Sequence, residues 1–169
     1  MMPCAEGVIG WLPELVLFSE YNNEWPQYEE ALYAFFRKDF ILSRPRFSGV
    51  RLGLKRYPYE YGKEATFWHM ISEGNKEDDR TPDLRRCERI RWPKPVIEHA
   101  EEVVIKAWEN KKRGETRICL WLESQEYLVI LARRKGYVLL WTAYPVTENH
   151  RKAKLRREYE AYKTANAAL

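Results

Sequence analysis

The clearest pattern of hydrophobic and polar positions lies in the second half of the chain. Three apolar segments, 117–122, 127–133 and 137–143, are separated by short polar turns and are rich in β-branched and aromatic residues. This pattern is typical of an antiparallel meander. The sequence therefore predicts three adjacent strands there, while residues 103–108 fit a helix or a strand equally well.

Two other segments have helical periodicity. Asn23 is predicted to cap a helix that ends near Lys38, and Thr147 to cap a final helix. The residues that share a face are Tyr28, Leu32, Phe35 and Phe36 on the first helix, and Lys152, Leu155, Tyr159 and Tyr162 on the last.

The middle of the chain is less regular. Segments 47–54 and 65–71 have strand-like content, with a loop at 57–62 between them. The sequence Thr81, Pro82, Asp83 is a helix-start signal, and a second helical piece is predicted from about Pro95 to Glu102. The element order predicts an α+β fold in one domain spanning residues 1–169.

Composition narrows the range of partners and locations. The 169 residues carry a net charge of +4, which permits a polyanionic partner without requiring one. Cys4, Cys87 and Cys119 show no paired spacing, so a reducing compartment is expected. With no signal-peptide pattern and no run long enough to span a bilayer, a cytoplasmic location and no membrane partner are predicted.

Histidines are the first candidates for acid–base chemistry. His69 lies in the apolar sequence Phe67 to Met70, where it is either a catalytic group held at a sheet surface or a satisfied core histidine. His99 lies among glutamates and is interpreted as a solvated helix position. His150 opens the last helix and is a candidate for the same groove as the end of the last strand.

An arginine group lies around the predicted middle helix, interleaved with acidic residues. Its members are Arg80, Arg85, Arg86, Arg89 and Arg91. They form either a salt-bridged solvent face or a phosphate clamp, because guanidinium groups match phosphate oxygens. The neighbouring Trp92 is expected either to stack a base or to pack in the core.

Hydroxyl groups at the end of the last strand are a third candidate element. Thr142 and Tyr144 alternate with apolar residues and are expected to project from one face of the sheet, where they bind phosphate or ribose or close the sheet edge. The basic start of the last helix, with Arg151 and Lys154, either follows a nucleic-acid backbone or is an ordinary solvated face.

Together these residues resemble the barnase/EndoU/colicin/RelE-like nuclease superfamily, especially its phage-associated members. The resemblance covers about residues 65–160 and leaves 1–62 unassigned. It implies N-terminal helices packed on a twisted antiparallel sheet, and RNA cleavage without a metal or other cofactor. It also implies an active groove of His69, Arg86, Arg91, Thr142 and Tyr144, with the second proton-transfer group being His150 or, failing that, Tyr144 or Glu123.

The sequence thus predicts a metal-independent endoribonuclease, a phage or bacterial toxin or effector whose partners are RNA and an inhibitor or antitoxin protein. A non-catalytic nucleic-acid- or protein-binding module of a mobile element is the alternative. A structural protein with an aromatic interaction surface is a third interpretation. Convergence of the candidate residues on one cleft favours an enzyme, whereas a flat basic face favours binding.

Overall fold

The structure is a computed structural model that describes residues 8–74 and 80–167. Cys4 and most of the acidic stretch after Ser72 lie outside the described residues. The chain forms an α+β fold with helices, a mixed sheet and a C-terminal helix. Within these residues no helix is both long and apolar enough to cross a membrane.

The helices and strands have the following bounds. The helices are α1 Trp25–Phe36, α2 Ala65–Ile71, α3 Leu84–Glu88, α4 Pro93–Glu98 and α5 Asn149–Ala167, and a π-helical turn, Arg37–Leu42, extends α1. The strands are β1 Arg46–Phe47, β2 Val50–Gly53, β3 Ser72–Glu73, β4 Thr81–Pro82, β5 Lys106–Lys112, β6 Glu115–Leu122, β7 Tyr127–Arg134 and β8 Tyr137–Pro145.

The main sheet has the strand order β1-β2-β8-β7-β6-β5, and β3 and β4 form a separate pair. The predicted meander is confirmed as β6 to β8, and β5 precedes it as a fourth antiparallel strand. One pair departs from the expected antiparallel sheet, because β2 runs parallel to the start of β8, with Leu52 opposite Val138.

Helices cover both faces of the sheet. On one face, α1, α2 and α4 bury a core that includes Leu32, Phe67 and Ile97 against Leu120 and Leu140 of the sheet. The opposite face carries a second cluster, which packs against α5. Its members are Trp108, Cys119, Trp121, Leu128 and Val146, with Leu155, Tyr159 and Tyr162 from the helix.

Three local predictions need correction. Residues 65–71 form α2 and not a strand, because Phe67 and Ile71 are buried four positions apart, the helical spacing. The middle helix begins after Asp83, whose carboxylate accepts a hydrogen bond from the Arg85 amide, and the preceding Thr81 and Pro82 form β4. In α1 the residue at the N-cap is Glu24, since Asn23 has a left-handed backbone.

Glu123 ties the C-terminal helix to the sheet. Its carboxylate lies 2.7 Å from Lys106 Nζ on β5 and 3.3 Å from Arg156 Nε on α5. Partial burial acts to raise the pKa of Glu123, but the bonds and charges of Lys106 and Arg156 outweigh it and lower that pKa below its ordinary value.

A pH-dependent contribution to stability follows from this lowered pKa. Because the folded-state pKa is depressed, the stabilisation is present above the unfolded pKa, about 4.3 for a glutamate, and is lost as pH falls through the folded value. Glu123→Gln should therefore lower the melting temperature at pH 7, and the difference should shrink on acidification. A difference that stays constant from pH 7 to pH 3 would contradict this assignment.

Candidate active site

The candidate site is a cleft beside the second half of β8. On the side away from β7, strand β2 pairs with β8 at Val138 and Leu139, and the later residues of β8 contact α2 and α3 instead. The cleft has a volume of about 190 Å³. Its lining residues are His69, Gly74, Arg80, Arg86, Trp141, Thr142 and Tyr144.

A β-bulge in β8 shapes the cleft wall. Leu140 lies opposite Leu131 and Thr142 opposite Ile130, which leaves Trp141 as an extra residue without a partner. Bulges redirect side chains and are frequent beside active sites. After the bulge, Thr142 and Tyr144 lie on the same face of the strand, as the sequence pattern predicts.

Arg86 joins the elements around the cleft. Its Nη1 donates to the carbonyl of His69 at 3.3 Å and to Thr142 Oγ1 at 3.4 Å, and its Nε is 3.6 Å from Asp83 Oδ2. These contacts are long, and Nε makes no hydrogen bond within the described part of the chain. Nε is itself buried, so any anion would be bound by the terminal nitrogens, whose donor capacity these long contacts do not exhaust.

His69 lies in the last turn of α2 and is half-buried. The prediction that it lies on a strand is wrong, because Ala65–Ile71 is helical. The helix nevertheless places it in the cleft, where it lines the same concavity as Arg80 and Thr142. An imidazole is the side chain best suited to exchange protons near neutral pH.

Tyr144 lies between two cations. Its ring centroid is 5.1 Å from the guanidinium carbon of Arg86 and 5.6 Å from that of Arg151. Burial raises the pKa of Tyr144, and the two arginines offset only part of that effect. The hydroxyl therefore keeps its proton at neutral pH and can donate it in a hydrogen bond.

A second pocket of about 190 Å³ adjoins the cleft across Tyr144, between the sheet and α5. Lys112, Arg151 and Lys154 line it, together with Glu158. Glu158 is engaged by the sheet, since its Oε2 accepts hydrogen bonds from Trp108 and Asn110. The predicted binding residues Arg151 and Lys154 thus lie next to the cleft but not in it.

Several predicted site residues lie elsewhere. Arg91 packs over the ring of Phe35 at 5.0 Å, and His150 is 78% exposed beside Glu148. Neither residue lines the cleft. Glu123, the other proposed substitute for a second histidine, is engaged by Lys106 and Arg156.

The remaining residues of the arginine group have structural contacts. Trp92 is only 6% exposed and donates from Nε1 to the carbonyl of Pro13, which fits the second interpretation, packing in the core. Arg89 lies over Trp92 and beside Glu88, which fits the salt-bridged interpretation. Arg85 is exposed and reaches Thr147 Oγ1 at 3.5 Å.

Sequence reasoning missed Trp141 as a lining residue. Arg117 lies 4.4 Å above its ring, so the indole forms a cation-covered wall of the cleft. In a regular strand, Trp141 and Thr142 would point to opposite faces of the sheet. The bulge, which the sequence does not predict, lets both residues line the same cleft.

Comparison with family models, curated proteins and solved structures finds no match to this chain. Over residues 8–74 and 80–167, no group of three or more histidine, cysteine, aspartate or glutamate side chains is arranged to hold a metal ion. Cys87 and Cys119 are buried thiols, and burial raises the pKa of each to about 12, so neither is a ready nucleophile.

Proposed function

We propose that the cleft cleaves RNA as a metal-independent endoribonuclease. The observation that carries the proposal is the convergence of His69, Arg86, Thr142 and Tyr144, from α2, α3 and β8, on one concavity. Within residues 8–74 and 80–167, its lining includes two arginines and no carboxylate. A positively charged cleft favours binding of a phosphate. The imidazole of His69 and the hydroxyl of Tyr144 are groups that can take and give the protons of the reaction.

The reaction starts at the ribose 2′-hydroxyl. His69 takes the hydroxyl proton while the 2′-oxygen attacks phosphorus, and the bond from phosphorus to the 5′-oxygen breaks to leave a 2′,3′-cyclic phosphate. Arg86 and Arg80 stabilise the negative charge that develops on the phosphoryl oxygens. Thr142 fixes Arg86 through its Oγ1.

Tyr144 is the proton donor to the departing 5′-oxygen. A tyrosine hydroxyl keeps its proton at neutral pH even at its ordinary pKa of about 10. Burial raises the pKa of Tyr144 further, and the adjacent guanidinium groups of Arg86 and Arg151 offset part of that cost when donation leaves a phenolate. The proton held by His69 returns through solvent to restore both groups.

The resemblance to the barnase/EndoU/colicin/RelE-like superfamily supports the same function. We extend the proposal to a toxin or effector that acts on RNA in the cytoplasm and is controlled by an inhibitor or antitoxin protein. The buried thiols of Cys87 and Cys119 suit a reducing compartment.

A non-catalytic nucleic-acid-binding module is the second candidate function. The pocket beyond Tyr144 favours it, because Lys112, Arg151 and Lys154 offer positive charge without an acid–base pair. Binding without cleavage would separate this candidate from the nuclease.

Removal of Arg86 tests the nuclease directly. Arg86→Ala should slow cleavage of a labelled RNA by about 10²–10³-fold, the effect of losing one preorganised charge donor at a transition state. The measurement is a single-turnover rate in the presence of a chelator. Arg37→Ala, an exposed arginine beyond the end of α1, is the matched control and should cleave like the unchanged protein. Equal rates for the two variants would contradict the proposal.

A further inference from the structure

Another basic cavity lies at the other end of β8. Its volume is about 310 Å³, larger than the cleft. Arg44, Arg51 and Arg56 line it, with Phe40, Leu52 and Tyr137 among the remaining lining residues. Neither the proposed reaction nor the sequence patterns account for this site.

The charge of this cavity is uncompensated. No carboxylate lines it, and none of its three arginines makes an ion pair within residues 8–74 and 80–167. Some other arginines of the described residues do have carboxylate partners: Arg86, Arg89, Arg117, Arg133, Arg134 and Arg156. Three guanidinium groups around one concavity repel one another unless an anion joins them, and their planar forks match phosphate oxygens.

The cavity forms where the sheet edge is open. Strand β1 pairs only with Val50 and Arg51, so Leu52 and Gly53 have a strand neighbour on the β8 side alone. The ring of Tyr137 lies against Gly53, where an added Cβ would be 2.8 Å from ring atoms. The missing side chain therefore lets an aromatic ring form one wall, with Arg51 5.1 Å from its centroid.

The cavity and the cleft lie along one strand. Tyr137 and Thr142 of β8 lie opposite Arg134 and Ile130 of β7, so the bulge at Trp141 leaves them four strand positions apart. That is roughly 13 Å at the strand rise of about 3.3 Å per residue. Both residues are on the face opposite the core formed by α1, α2 and α4, because their neighbours Val138 and Ala143 belong to that core. On this face α5 packs mainly against β5, at the far edge of the sheet from β8. A single extended ligand can therefore reach both sites across this face.

We propose that this arginine cavity binds backbone phosphates of the RNA strand whose scissile phosphate occupies the cleft. The proposal rests on the nuclease function. Tyr137 offers a ring on which an unpaired base can stack, and the three arginines hold phosphates next to it. The site therefore selects substrates that extend beyond the cleaved nucleotide as a single strand.

Binding of an uncleavable RNA tests this site separately from catalysis. The probe is a fluorescent single-stranded 2′-O-methyl RNA of about twelve nucleotides, long enough to cover several phosphate sites, and the readout is anisotropy at several salt concentrations. The test protein carries Arg44→Gln, Arg51→Gln and Arg56→Gln together. The control carries Arg37→Gln, Lys38→Gln and Arg113→Gln, which remove the same charge at exposed positions elsewhere.

We expect the test protein to bind the RNA about tenfold more weakly than the control. The slope of the logarithm of its binding constant against the logarithm of the salt concentration should be smaller by about 2, because each phosphate contact to a single strand contributes about 0.7 to that slope. Cleavage of a dinucleoside monophosphate, whose single phosphate cannot occupy both sites, should be unchanged. Equal RNA affinity of the two proteins would overturn the proposal. The proposal would also be overturned if the three arginines were needed for binding a polyglutamate peptide but not for binding RNA. If the unchanged protein binds RNA through these arginines but cleaves none, the nuclease function fails and the binding site stands.

Discussion

Replacing His69 with glutamine should reduce the rate of RNA cleavage by about 10²–10⁴-fold, the usual contribution of one general acid or base. Glutamine keeps a polar side chain of similar reach, but it cannot take a proton from the ribose 2′-hydroxyl. The backbone carbonyl of His69, which accepts from Arg86, is retained in the variant. The expected loss is therefore in the chemical step, with the affinity for uncleavable RNA nearly unchanged.

His99 provides the matched histidine control. It lies at the end of α4, stacked on the ring of Trp11 at 4.3 Å, and it does not line the cleft. His99→Gln should retain the rate of the unchanged protein. A His69→Gln protein that folds normally and cleaves as fast as His99→Gln would show that His69 takes no part in the reaction.

Trp108→Ala should cost about 3–5 kcal/mol of unfolding free energy, the range for truncating a buried large aromatic side chain. Trp108 is 2% exposed, and its ring packs edge-on to Trp121 and to Tyr159 of α5. Its Nε1 also donates to Glu158 of the same helix. The truncation thus removes both the packing and the hydrogen bond that hold α5 on the sheet.

Urea unfolding followed by far-ultraviolet circular dichroism measures this loss. Trp108→Phe is the control, since it keeps most of the packing and loses the bond to Glu158, so its cost should lie well below that of alanine. A cost below about 1 kcal/mol for Trp108→Ala would be that of an ordinary surface change and would mean that other contacts hold the helix.

Local sequence patterns predict those helices and strands whose buried residues can be recognised from the element's own sequence. Strands β6 to β8 are predicted because each is an apolar segment rich in β-branched and aromatic residues and bounded by a polar turn. Helix α2 was misassigned because a seven-residue apolar run fits a buried strand as well as a helix. Contacts of Phe67 and Ile71 with distant elements decide between the two.

Prediction of the candidate site is limited in the same way, because the site is formed by contacts between residues that are far apart in the sequence. The common face of Thr142 and Tyr144 follows from strand alternation, but the contact of Arg86 with Thr142 joins residues 56 positions apart. Arg86 and Arg91 diverge because α3 ends at Glu88, so Arg91 leaves in another direction and packs on Phe35. The parallel pairing of β2 with β8, which forms the arginine cavity, has no local sequence signal.

The most direct test of the account is the chemistry of the product ends. A defined RNA is incubated with the purified protein and a chelator, beside the same RNA carrying a 2′-deoxyribose at each cleaved position. Attack by the 2′-oxygen predicts discrete fragments that end in 2′,3′-cyclic phosphate from the first RNA and none from the second. Intact RNA in both, or cleavage that persists at the deoxyribose positions, would contradict the proposed function of the His69–Arg86 cleft.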